Sequence, residues 1–229
     1  FSSFESVKEV ETGIIHFDGE IEKGSGVQKT TVGLIKPHTG DYMLELGSSS
    51  VGGMFKAVVD NVTVSGEDFE RGIQVGRTYI ASVWVHKDSP GAARLVFELD
   101  GNITDSKNIR KDSPEGIQIG DWIQLNLLFE VPSNYLSTGG PNNNNDVRIY
   151  LENPDTGVNT YFDDLVIHPV DAQFSGYVYD ERLGLVMATI NNENFYTRYE
   201  YDNAAKLLKT FKETQNGEKV INTSKYNYK

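Results

Sequence analysis

Over the first 170 positions, hydrophobic residues recur at every second place in short runs separated by Gly, Asn, Asp, Ser and Pro. That period brings alternate side chains to one face of a strand. It predicts strands over residues 14–17, 27–35, 42–46, 54–64, 78–86, 93–99, 122–131, 146–151 and 160–168. Strands of this length, with no long helical period between them, predict an all-β fold of antiparallel sandwich or barrel type. Residues 101–114 read as a long loop or one ragged edge strand. Residues 137–146, with Gly139-Gly140-Pro141 and a run of asparagines, read as a solvated loop.

Four of these strands alternate most cleanly. Their core-facing sets are Tyr79, Ala81, Val83 and Val85; Ala93, Leu95, Phe97 and Leu99; Ile123, Leu125, Leu127, Phe129 and Val131; and Val147, Ile149 and Leu151. The opposite faces gather Trp84, His86, Arg94, Glu98, Trp122, Gln124, Asn126, Arg148 and Tyr150. Flat rings suit the apolar faces of sugars and planar polar groups suit their hydroxyls, so these nine residues are candidates for a glycan platform. The competing reading is an ordinary solvated sheet whose tryptophans cover the sandwich edge.

The stretch Tyr161-Phe162-Asp163-Asp164-Leu165-Val166-Ile167 carries a different signal. Strict alternation places Tyr161, Asp163, Leu165 and Ile167 on one face and Phe162, Asp164 and Val166 on the other. A strand this apolar is buried on at least one face, so one aspartate points into a dry place. A lone buried carboxylate is too costly to persist; it is protonated, paired with a cation or bound to a metal. The strand holds no Lys or Arg. Either Asp163 closes a calcium site that ties the ends of the sandwich together, or it accepts backbone N–H bonds at a strand end.

Composition narrows the function classes. The chain has 229 residues and a formal net charge of -12, which repels phosphates and argues against nucleic acid and anionic membranes. It has no cysteine, hence no disulfide framework, thiolate zinc site or cysteine nucleophile. No run approaches a membrane span. The start at Phe1, without a methionine or apolar leader, suggests a portion of a longer polypeptide. An enzyme is not expected. No carboxylate pair can be placed across a sugar ring, and His16, His38, His86 and His168 are scattered. Ser48-Ser49-Ser50 before Gly52-Gly53 makes no nucleophile elbow, and Gly24-Ser25-Gly26 makes no phosphate loop.

Residues 1 to about 169 resemble a galactose-binding-like jelly roll of the carbohydrate-binding module type found beside bacterial glycosidases, and residues 1–170 are expected to form that domain. The matching features are Phe4-Glu5, Thr39-Gly40-Asp41-Tyr42-Met43-Leu44, Gly76-Arg77-Thr78-Tyr79 leading into Ser82-Val83-Trp84-Val85, Gly120-Asp121-Trp122 and the closing Tyr161-Phe162-Asp163-Asp164-Leu165. The resemblance implies an antiparallel jelly-roll β-sandwich and a structural calcium. By position its ligands would be Glu5, the carbonyls near Thr39 and Asp41, and Asp163. Calcium takes six to eight oxygens, which carboxylates and carbonyls together supply. The chain departs from the family in having no second aromatic after Trp84 to extend a stacking row.

Residues 171–229 change character. Tyr177-Val178-Tyr179-Asp180 recurs as Tyr199-Glu200-Tyr201-Asp202, Leu185 and Leu207 keep the same phase, and Tyr226-Asn227-Tyr228 resembles the start of a third copy. This is similar to the YD (Rhs-type) repeat of bacterial surface and toxin-associated proteins, which implies a small β-hairpin module. Leu183 and Ala205 stand where the usual turn glycine falls. A helix over residues 204–212 competes on propensity, and the phased repeat favours strands. The tyrosines then pack the hairpins instead of forming a ligand box. The expected role is non-catalytic recognition of a polysaccharide or cell-surface glycan within a secreted or surface bacterial protein. The rival is an architectural domain that docks on neighbouring domains of the parent chain and spaces them.

Overall fold

The computed structural model of the protein describes residues 7–9, 15–17, 21–22, 27–31, 35–60, 73–89, 92–99, 101–108, 117–133, 135, 146–180 and 182–226. Its strands in chain order are β1 (Val7–Glu9), β2 (Ile15–Phe17), β3 (Ile21–Glu22), β4 (Val27–Thr31), β5 (Tyr42–Leu46), β6 (Ser50–Asp60), β7 (Ile73–Gln74), β8 (Thr78–His86), β9 (Arg94–Leu99) and β10 (Asn102–Asn108). They continue with β11 (Gln118–Ile119), β12 (Trp122–Glu130), β13 (Asp146–Asn153), β14 (Thr160–Pro169), β15 (Gly176–Tyr179), β16 (Val186–Ile190), β17 (Tyr196–Tyr201), β18 (Leu207–Thr214) and β19 (Gly217–Thr223).

The architecture is all-β, an antiparallel jelly-roll β-sandwich followed by a small hairpin module. One sandwich sheet has the order β11-β12-β8-β14-β5-β4 and the other β1-β2-β3-β6-β13-β9-β10, with the short β7 alongside β6. Their inner faces meet in one core that includes Ala81, Val83, Val85, Leu95, Phe97, Leu125, Leu127, Phe129, Ile149 and Leu151. These are the residues that alternation assigns to the core, because a period of two leaves each strand one apolar face to bury. The ragged segment after Gly101 is the edge strand β10, with a register shift between Ile103 and Asp105. The loop expected over residues 137–146 lies almost wholly outside the described residues.

Strict alternation fails in β14. Its pairing with β8 shifts between Asp163 and Val166, and Asp164 adopts a left-handed φ of 48°. This bulge inserts one residue, so Phe162 and Leu165 both enter the sandwich core while Val166 faces the other way. Asp163 and Asp164 are both fully buried, where the alternating pattern expected one of them to be.

The C-terminal module is a five-stranded meander, β15-β16-β17-β18-β19. The two Tyr-x-Tyr-Asp copies occupy β15 and β17, and each aspartate closes the turn that follows. The Asp180 carboxylate accepts the backbone N–H groups of Arg182 and Leu183, and the Asp202 carboxylate those of Ala204 and Lys206. Gly184 and Ala205 take the left-handed conformations these turns need, at φ 65° and 59°. Residues 207–212 lie in β18, so the helical alternative does not form. Tyr177 and Tyr179 do not pack inside the hairpins as expected; both rings are about half exposed.

Candidate functional site

The outer face of the six-stranded sheet carries the largest concentration of the residues singled out in the sequence, and the C-terminal module covers much of it. Trp84, in mid-β8, is 0% exposed. Its indole Nε1 donates to the Asn194 carbonyl at 2.7 Å, its face stacks on His38 at 4.3 Å, and Phe195 lies edge-on at 5.9 Å. Trp122 and His86 are buried beside it, their rings 5.4 Å apart. Burial outweighs the nearby Asp88 and Asp121 and lowers the His86 pKa. Gln124 is buried as well and donates to the Glu193 carbonyl at 2.6 Å. Trp84, Trp122, His86 and Gln124 therefore form no open platform. They are the floor on which the Asn191–Phe195 turn sits. Of the candidates on this face, Asn126 stays exposed.

The remaining candidates lie on the opposite outer face, on β9 and β13, so the nine residues do not make one site. Their polar heads are paired within that sheet. Arg94 Nε meets Glu152 at 2.6 Å, Arg148 Nη1 meets Glu98 at 3.0 Å, and the Tyr150 hydroxyl donates to Glu98 at 3.3 Å. Burial, together with the charge of Glu98, pushes the Tyr150 phenol up to about 12.

The junction with the C-terminal module is built around His38. Its Nδ1 lies 2.7 Å from Asp164 and its Nε2 2.8 Å from Glu213 of β18. Burial alone would lower the imidazole pKa, but the two carboxylates outweigh it and raise the pKa to about 9. Thr39 Oγ1 donates to the other oxygen of Asp164, and the Asn194 side-chain amide donates to the Asp164 carbonyl. An apolar patch of Val166, Val178, Ala188 and Ile190 completes the contact. Nothing in the sequence brings His38, Asp164, Asn194 and Glu213 together, because they come from distant segments. The bulge that aims Asp164 leaves no mark in the hydrophobic period.

Asp163 is held by backbone amides. Its Oδ2 accepts from His38 N at 2.8 Å and Thr39 N at 3.2 Å, and its Oδ1 accepts from Asp164 N at 2.8 Å. A carboxylate has about four acceptor positions, so these three bonds supply most of the compensation a buried anion needs. Among the described residues no group of three or more His, Asp or Glu side chains is placed to hold a metal. Glu5 lies outside the described residues. Thr39 and Asp41 lie just before β5, and the Thr39 amide is itself one of the donors to Asp163.

Beside the covered tryptophans an open groove of about 730 Å³ runs between the six-stranded sheet and the Asn192-Glu193 turn. Ile80 and Leu128 line its apolar part, and Leu128 is 58% exposed. The Gln124 and Asn126 carboxamides lie along it, joined by a 3.1 Å bond from Asn126 to Gln124. Asp105 of β10 and Glu193 of the turn, both exposed, bring two carboxylates to its lining.

No protein-family model matches the chain, and no curated protein matches it. Among solved structures it is similar to the CBM22-1 xylan-binding domain of Paenibacillus barcinonensis Xyn10C, at 13% identity and TM-score 0.42 over 75% of this chain and 93% of that one. It is also similar to a xylan-binding domain of CBM 22, at 14% identity and TM-score 0.39 over 74% and 97%. An arabinose-bound GH51 α-L-arabinofuranosidase matches at 18% identity and TM-score 0.40, over 73% of this chain and 25% of that one. Likenesses this distant carry no argument about function.

Proposed function

We propose that the protein binds carbohydrate without catalysis, along the groove between the six-stranded sheet and the C-terminal module. The observation that carries this is the groove's lining, in which the exposed Asn126 carboxamide and the Asp105 and Glu193 carboxylates flank an apolar strip of Ile80 and Leu128. A sugar ring has an apolar C–H face and a rim of hydroxyls, so it meets both parts of such a lining. Titration with neutral oligosaccharides is expected to give a binding isotherm that Asn126→Ala weakens by about tenfold, the loss of one to two hydrogen bonds. Unchanged binding by that variant would sink the groove as the site.

A second reading, an architectural unit, is favoured by the buried bridge from Asp164 through His38 to Glu213, which fixes the module against the sandwich whatever else binds. Silence across plant, host and bacterial glycans would favour it. Placement in a secreted or surface bacterial protein, and the YD-type nature of the hairpins, belong with both readings. A structural calcium would join Glu5, the carbonyls near Thr39 and Asp41, and Asp163. If so, chelation lowers the melting temperature and added calcium restores it. A melting curve indifferent to both removes the ion from the proposal.

A further inference from the structure

We infer that the outer face of the C-terminal sheet holds a second glycan-stacking site, built on Tyr177 and Tyr179. Val178, between them in β15, is buried against the sandwich. Its two neighbours therefore point the other way, into solvent. Tyr177 is 52% and Tyr179 50% exposed, and their rings lie 6.3 Å apart at an interplanar angle of 27°. Among the described residues neither hydroxyl has a protein partner.

The second Tyr-x-Tyr-Asp copy makes the contrast that assigns the role. Thr189 faces Tyr177 across the β15–β16 pairing, and its hydroxyl lies 3.3 Å from that of Tyr199, so Tyr199 shares the outer face. The Tyr201 hydroxyl donates to the carbonyl of Val186, the residue opposite Tyr179. Tyr199 and Tyr201 are thus tied to the sheet, while Tyr177 and Tyr179 present ring and hydroxyl together. The backbone beneath them is fixed by the buried Val178 and by the Asp180-closed turn, so binding orders little that is not already ordered.

The chemistry of the occupant follows from size and charge. Two tyrosines offer at most a few hundred Å². This falls short of the roughly 800 Å² per partner of a stable protein interface. The net charge of -12 disfavours a phosphate-bearing ligand that could stack equally well. A neutral glycan remains, laying the C–H faces of neighbouring sugars on the two rings with its hydroxyls at the phenols. The site shares its ligand class with the groove but not its surface.

The test is titration of the full chain with xylohexaose, cellohexaose and mannohexaose, read by affinity, stoichiometry and the ring-proton shifts of the tyrosines. Replacing both tyrosines by threonine keeps strand propensity, and it is expected to weaken binding about tenfold with the unfolding midpoint unchanged. Replacing both by phenylalanine should retain most of the affinity. With Asn126→Ala in the groove, the tyrosine shifts on titration should persist. If Asn126→Ala abolishes binding while the threonine variant binds like wild type, the second site is wrong and the groove stands. The reverse result keeps the tyrosines and overturns the groove. Absence of binding to all three sugars overturns both.

Discussion

The two outer faces of the sandwich look alike in sequence and end in different circumstances. On β8 and β12 a row of Trp84, His86, Trp122 and Gln124 opposes the core, and on β9 and β13 a row of Arg94, Glu98, Arg148 and Tyr150 does the same. The first row is roofed by the C-terminal sheet and bonded to it through Trp84, Gln124 and His38. The second row closes its ion pairs within its own sheet. A period of two identifies the side of a strand that avoids the core. It does not reveal what lies against that side.

The comparison can be broken at His38. His38→Ala leaves Asp164 and Glu213 buried without their shared cation, and the expected loss of stability is about 3–5 kcal/mol in a denaturant titration. A loss below about 1 kcal/mol would mean that water reaches these carboxylates and that the roofed face resembles the open one.

A smaller effect sharpens the same contrast through pH. The imidazole has an ordinary value of 6.5 and is raised to about 9 in the folded protein. The bound proton stabilises the fold fully below pH 6.5, and this contribution fades as pH rises through 9. Roughly 3 kcal/mol should vanish across that window, and His38→Gln should flatten the slope. A stability curve that stays level between these values would show that the bridge holds no extra proton.

The smallest effect belongs to the other face. Arg94 and Glu152 are 28% and 21% exposed at the side chain, so part of their attraction is screened. Arg94→Ala is expected to cost less than about 1 kcal/mol and to matter less still at high salt. A cost matching that of His38→Ala would erase the distinction between the faces.

Much of the fold was legible because burial of one strand face is a local demand. Tyr79, Ala81, Val83 and Val85 declare their side within nine residues. The hairpins were legible through Asp180 and Asp202, whose carboxylates act on amides only a few positions away. The candidate site was far less so. His38 lies in a loop without period, and its partners stand 126 and 175 positions along the chain. Trp84 is a good stacking residue by type, but its cover comes from Asn194, 110 positions on. The half-exposed Tyr177 and Tyr179 were expected to pack within the hairpins, because the repeat gives each tyrosine the same neighbours whichever way the sheet faces.

The bulge at Asp164 bears on how the protein can be dissected. The chemical boundary between its modules does not coincide with the change of character near residue 170. Ending the chain there would strip the cover from Trp84 and Val166 and leave the Asp164–His38 pair without Glu213. Such a fragment should expose a sticky aromatic surface and precipitate. A soluble version would require polar replacements along the whole of the uncovered sheet.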